Sequence, residues 1–254
     1  MFTLLKQETM KAWKQNRVYI WAIIIFVLPI IILPFVLSAS TQAAGFAEFG
    51  GSSIVLSIFI TVIAALTFSQ EFTFGTIRPL LSRQYSRLQV FISKLLIILI
   101  QAVLMTLIAF VGSFIGRQIF IWMHGKTGTS IDFGQFFYAQ GISFLVTLFF
   151  IAIVLLIANV AKSAAAAISL GIVMSMVTSI ISTISIYLVQ FWSGLKWNPF
   201  TILEAVRSYD GTFLSKLQYQ AYFGTDPWVI FTVYGVYLVL IYGLAYWIFN
   251  RRSV

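Results

Sequence analysis

Residues 18–38 read VYIWAIIIFVLPIIILPFVLS, a run without one charged side chain. At 1.5 Å of rise per residue, a helix of this length covers about 30 Å, the thickness of a bilayer's hydrocarbon core. The run is too long for the apolar segment of a cleavable signal peptide, and no convincing small-residue cleavage pattern accompanies it. It is therefore expected to remain as a transmembrane helix, kinked at Pro29 and Pro34.

Outward from this run, five more apolar stretches are long enough to span, at about residues 51–68, 95–115, 136–158, 164–189 and 228–249. Composition agrees. Hydrophobic residues make up 60% of the chain and charged residues 9%, with a mean hydropathy of +0.98. A soluble domain keeps roughly a quarter of its residues charged, so this surface faces lipid. The expected fold class is all-α: one polytopic membrane domain over residues 1–254, with six transmembrane helices.

Charge placement sets the expected orientation. A net charge of +9 in a soluble chain would suggest nucleic acid, but here the basic residues cluster at the ends of apolar spans. Lys6, Lys11, Lys14, Arg17, Arg78, Arg83, Arg87, Lys94, Lys162, Arg251 and Arg252 fall on one side, with only Glu8 and Glu71 among them. Arg117, Lys126, Lys196, Arg207 and Lys216 fall on the other, opposed by the remaining five acids. The positive-inside rule then places both termini in the cytoplasm of a multi-pass cell-membrane protein. Residues 1–17 interleave Phe2, Leu4, Leu5, Met10 and Trp13 with lysines, the pattern of a helix lying in the cytoplasmic interface and touching membrane lipid.

Chemistry is excluded more than it is indicated. The chain has no cysteine and one histidine, His124, with no catalytic or metal partner near it in sequence. No span carries an ionisable residue in its centre, whereas proton-coupled carriers depend on such groups. Paired carboxylates, a metal site and a Ser/His constellation are all missing, as is a phosphate-cradling GxxxxGK[ST] loop. No catalytic residue, metal or directly bound cofactor is expected, and any uphill transport must draw its energy from a partner.

The polar residues inside the spans are hydroxyls. Ser175, Ser179 and Ser182 share one stripe of the fifth span at i, i+4 and i+7, joined by Thr178, Thr183 and Ser185. Ser57 and Thr61, with Ala65, repeat the pattern more weakly in the second span. Two readings stand: close packing between helices through small residues, or the lining of a pathway or subunit seam. The outer segment 190–227 is rich in aromatic residues, and Asn198-Pro199 is a helix-opening pair, Asn as N-cap and Pro at the first helical position. Phe200, Leu203 and Val206 then recur at helical spacing. This segment is either an aromatic belt or a partly re-entrant element closing the outer mouth.

Between the second and third spans, residues 69–87 read SQEFTFGTIRPLLSRQYSR, with Lys94 following. This connection is too apolar for a plain linker. In carrying Glu71, Gly75-Thr76, Leu80-Leu81, Ser86-Arg87 and Lys94 it resembles the ABC-2 type permeases, the membrane subunits of ATP-binding-cassette exporters. The family often has Pro before the Ser-Arg pair, where this chain has Gln84-Tyr85. The interfacial N-terminal helix, the six spans and the Asn198-Pro199-Phe200 triplet are similar to the family's too.

The resemblance implies a type V exporter-like fold in which residues 69–94 form a coupling element docked on a separate ABC ATPase subunit. It also implies a second permease copy or paralogue as dimer partner, and ATP and magnesium bound by the ATPase rather than by this chain. Size and the Gly75-Thr76-Ile77 wording are most similar to permeases of bacitracin and lantibiotic self-immunity, which implies a peptide antibiotic or lipid-like cargo. A membrane anchor or assembly scaffold without transport is the alternative from another class; an intramembrane enzyme is disfavoured by the missing acid–base groups.

Overall fold

The computed structural model describes residues 2–14, 16–73, 86–125, 131–161, 163–209, 211–212, 220 and 223–251, and all nine α-helices named below lie among them. In chain order they are α1 (Phe2–Lys14), α2 (Arg17–Phe35), α3 (Gln42–Ala47), α4 (Ser52–Thr73), α5 (Arg87–His124), α6 (Phe133–Val160), α7 (Ala164–Leu188), α8 (Pro199–Ser208) and α9 (Pro227–Arg251). Short 3-10 turns occupy Ala39–Thr41, Phe49–Gly51 and Ser193–Trp197. No strand occurs among the described residues. Six helices are long and apolar enough to cross a membrane, as the six apolar runs require.

The helix ends depart from the apolar runs in two places. The third span, expected over 95–115, belongs to α5, whose 38 residues measure about 57 Å. Hydropathy marks only the lipid-immersed middle of such a rod. In addition, α4 continues to Thr73 and α5 starts at Arg87, so both ends of the 69–94 connection are helical rather than looped. Through Pro29 and Pro34, α2 remains one continuous helix.

Two compact units make up the chain: Met1–Ile63 with Pro79–Asp132, and Ala64–Arg78 with Phe133–Val254. In the first unit α2 lies along α5. Gly112 and Gly116 of α5 meet the backbone of α2 so closely that a Cβ on Gly112 would stand 2.5 Å from the Phe26 carbonyl oxygen, and one on Gly116 would run into that of Pro29. Pro29 has no N–H to give the Ile25 carbonyl. The fully buried Ser52 hydroxyl of α4 donates to it instead, at 3.2 Å. Near the end of α2, the Leu33 carbonyl likewise accepts from the buried Gln42 side chain at 2.6 Å. The turn into α4 fits against the same proline: Gly50 has φ +58°, and a Cβ there would lie 2.8 Å from the Cα of Pro29.

The second unit is built round α6, α8 and α9. Ile142, Val146 and Phe149 of α6, Ile202, Leu203 and Val206 of α8, and Ile230 and Tyr234 of α9 form one buried cluster. Tyrosines of α9 tie it together: the Tyr234 hydroxyl donates to the Leu145 carbonyl at 2.7 Å and that of Tyr242 to Leu148 at 2.8 Å. At the other end of α6, the Asn159 amide donates to the Ala245 carbonyl at 3.1 Å.

The glycine contacts give a signed expectation. Gly112→Ala and Gly116→Ala should each destabilise the protein by about 1–3 kcal/mol through overpacking. Gly243→Ala, where nothing lies within 4 Å, should be neutral or stabilising by up to about 1 kcal/mol from helix propensity. Thermal unfolding of the three variants in one detergent checks the contrast.

Candidate functional site: the cytoplasmic connection and the α7–α8 seam

Three groups of residues were singled out by their chemistry. The first is the cytoplasmic connection. Glu71 lies in the last turn of α4, while Gly75, Thr76, Leu80 and Leu81 fall outside the described residues. Ser86 is the N-cap of α5: its hydroxyl accepts from the Gln89 N–H at 3.2 Å, and the Gln89 side-chain oxygen accepts from the Ser86 N–H at 3.1 Å. This reciprocal capping box satisfies two donors that the helix start would otherwise leave bare. Arg87 opens the helix, so the Ser86-Arg87 pair is the point at which the connection becomes a rigid rod.

Two turns further along that rod is Lys94, 1% exposed, with its ammonium 3.8 Å from the Glu8 carboxylate of α1. Sequence reading counted Glu8 only as a minority charge among lysines. Its signal is weak because its partner is distant in sequence. In α1, Lys6, Lys11 and Lys14 are exposed, and so is Met10, at 52%. Among the described side chains of α1, Glu8 is the buried one.

The second group is the hydroxyls. On α7 the buried face runs through Gly171, Thr178, Ser182 and Ser185, with Ser175 and Ser179 half-buried beside it. Thr178 therefore displaces Ser179 from the centre of the expected stripe. Ser175 and Ser185 donate to carbonyls of their own helix, at Ile172 and Ile181, while the single O–H of Ser182 is shared between the Ser179 carbonyl and an acceptor on α8. In the second span, Thr61 is buried and Ser57 exposed; both donate within α4. Back-bonding leaves the α7 oxygens their lone pairs, which makes that stripe an array of acceptors in the second unit.

The third group is the outer segment. Asn198 caps α8 through its side-chain oxygen, which accepts from the Phe200 N–H at 2.9 Å, and Pro199 occupies the first turn. The ring of Phe200 meets Phe149 edge-on, centroids 6.4 Å apart. Phe149 lies 16 residues into α6, about 24 Å along its axis. The Tyr237 hydroxyl, from α9, donates to the Trp197 carbonyl at 2.6 Å just before α8 begins. Thus α8 packs against positions well inside the spanning helices α6 and α9.

Sequence reading did not mark Glu204, the acid of α8. Its carboxylate accepts from the Ser182 hydroxyl of α7 at 3.0 Å and lies 3.9 Å from the Arg207 guanidinium. The Glu204 side chain is 17% exposed and that of Arg207 52%. Glu204 was legible only as an i, i+3 pair with Arg207 on an amphipathic helix. Among the described residues, no group of three His, Asp or Glu side chains is placed to hold a metal ion.

Comparison with known proteins adds two findings. The family model described as ABC-2 family transporter protein matches residues 4–178. The uncharacterized protein YhcI of Bacillus subtilis (strain 168) is 37% identical over 79 residues, 31% of this chain and 25% of that protein. The chain thus spans about a quarter of the length of that relative.

The Glu8–Lys94 pair provides the next expectation. Glu8→Ala takes away the carboxylate that neutralises a buried ammonium and should cost on the order of 3 kcal/mol. The double variant Glu8→Leu with Lys94→Met removes both charges and should recover most of that loss. Unfolding measurements on the two singles and the double, read as a cycle, check it; equal stability of Glu8→Ala and the parent would show that the pair holds nothing.

Proposed function

The chain belongs to the ABC-2 transporter family, and from that membership we propose that it is the membrane-spanning permease subunit of an ATP-binding-cassette exporter, driven by ATP hydrolysed on a separate subunit. The observation that carries the reading is the family match over residues 4–178, which takes in α1, the cytoplasmic connection and the spans up to the middle of α7. Two further features support it. No GxxxxGK[ST] loop occurs in the 254 residues, which fits an energy source carried on a separate subunit. The connection between α4 and α5 meets α5 at a capped, rigid start, which suits a segment that receives force from outside the membrane.

In this reading Glu71, Gly75, Thr76, Leu80, Leu81, Ser86 and Arg87 form the coupling element, and a second permease copy or paralogue completes the complex. The connection bears on the ATPase through Leu80 and Leu81, each worth about 1.5–3 kcal/mol when fully buried. The hydroxyl face of α7, with Ser57 and Thr61 of α4, lines the pathway or its seam. The α8 helix is the re-entrant element at the outer mouth, a role supported by its packing deep along α6. The cargo is amphipathic, a peptide antibiotic or lipid-like molecule. Both termini are cytoplasmic, from the eleven-to-five division of basic residues.

Two experiments test this. Leu80→Ala with Leu81→Ala should reduce retention of the ATPase on co-purification or uncouple hydrolysis from transport, while the protein still reaches the membrane. Full retention and coupling in that variant would make the segment a mere connection. Reporter fusions should place residue 254 in the cytoplasm; an external C-terminus would reverse the orientation and overturn the direction assigned to the connection.

A further inference from the structure

The seam between α7 and α8 concentrates oxygen atoms in a way that neither packing nor the export reading uses. Both protein contacts of the Glu204 carboxylate, from Ser182 and from Arg207, fall on Oε2. Among the described residues Oε1 takes none, and the side chain keeps 17% of its surface open. One turn earlier on α8, the Thr201 hydroxyl is fully buried and has no hydrogen-bond partner. A helical threonine ordinarily donates to the carbonyl four residues back. For Thr201 that carbonyl is Trp197, which already accepts from the Tyr237 hydroxyl at 2.6 Å. Ser182, 1% exposed, keeps both lone pairs of its oxygen as it donates.

The result is one carboxylate oxygen with net negative charge and two neutral hydroxyl oxygens, carried on facing helices. No donor reaches the Thr201 oxygen either, so its lone pairs are likewise open to one. Three acceptors with a single negative charge match a group that has three N–H donors and a single positive charge.

We propose that Glu204, Ser182 and Thr201 form a binding site for a primary ammonium group, with Arg207 as a loosely held counter-ion that the ammonium displaces. The site deepens the export reading and rests on it for the ligand's role as cargo: the amphipath carried would bear a primary amine. The half-exposed Arg207, 3.9 Å from the same carboxylate, is positioned to neutralise Glu204 while the site is empty and to swing to water when it fills. Ser182 and the whole of α8 lie beyond residues 4–178, the span matched by the family model.

The test needs neither ATP nor the partner. The purified chain in phosphatidylcholine nanodiscs is titrated with dodecylamine, and in parallel with dodecyltrimethylammonium, which has the same charge but no N–H donor. Tryptophan fluorescence reports binding. Dodecylamine should bind roughly tenfold to a hundredfold more tightly than its trimethyl analogue, the range of a charge-assisted hydrogen-bond set. Glu204→Gln, which keeps the size and an acceptor for Ser182, should abolish that preference, and Thr201→Val should reduce it. Arg207→Gln should tighten dodecylamine binding a few-fold by removing a competing cation.

Phosphatidylethanolamine in the nanodisc separates the sources. Competition with dodecylamine assigns the ammonium to a lipid headgroup, its absence to a non-lipid amphipath, and either supports the site. Equal binding of the amine and its trimethyl analogue overturns the proposal, as does a Glu204→Gln protein of parental melting temperature with its preference intact. Should Glu204→Gln fail to fold, unchanged affinity in Arg207→Gln overturns it instead. A chain that never co-purifies with an ATPase would refute the export reading without altering any of these binding results.

Discussion

Hydrocarbon offers no partner to a bare carbonyl, and this constraint organises both units. At two points of α2 where a carbonyl loses its helical donor, a side chain from another element supplies one. Ser52 serves Ile25, whose own helical donor is lost at Pro29. Gln42 serves Leu33 at the end of the same helix. In the second unit three tyrosines of α9 and Asn159 of α6 donate across to backbone carbonyls of neighbouring elements, as second donors where the carbonyl is already helical. Tyrosine suits the role because its ring packs as an apolar body while the hydroxyl reaches the backbone. These bonds bind helices to one another where the hydrophobic effect, with lipid as the alternative environment, gives little drive to associate.

Charge is handled by the same economy. The described side chains include two part-buried acids, and each faces a cation: Glu8 with Lys94, Glu204 with Arg207. The two pairs differ in kind. The first is closed to water on both sides, which leaves its members little freedom and defines the rotation of α1 about its own axis. The second opens to solvent on the arginine side, so its cation is replaceable. A buried pair specifies geometry more than it adds stability, whereas an open one retains the capacity to exchange partners.

How much of this could be seen beforehand depends on the range of the interaction. The six spans follow from local hydropathy, and the Asn198-Pro199 start of α8 follows from local capping chemistry; the structure has both. The full length of α5 did not, because its first two turns carry Arg87 and Lys94 and read as a charged loop until a partner for Lys94 is known. Ser182 was visible as part of a hydroxyl stripe, but Glu204, its acceptor, was not, since the two meet only once α7 and α8 are folded together. Thr178 rather than Ser179 occupies the buried line, a shift of one residue that a stripe read at i, i+4, i+7 does not resolve. Gly75, Thr76, Leu80 and Leu81, which carry the family wording, lie outside the described residues.

The close seat of α5 on α2 has a mechanical consequence. Gly112 and Gly116 hold the long rod against the backbone of α2 near residue 114, which leaves an arm of about 40 Å toward Arg87 and one of about 15 Å toward His124. A rod pivoting at such a fulcrum works as an unequal lever. A sideways push of about 3 Å on the Arg87 end would move the His124 end by little more than about 1 Å, with the force multiplied in the inverse ratio. In a rod that pivots at this contact the glycines would set the gear ratio: inserting bulk there, or shifting the pair by one turn, would alter how much travel at one face of the membrane becomes thrust at the other.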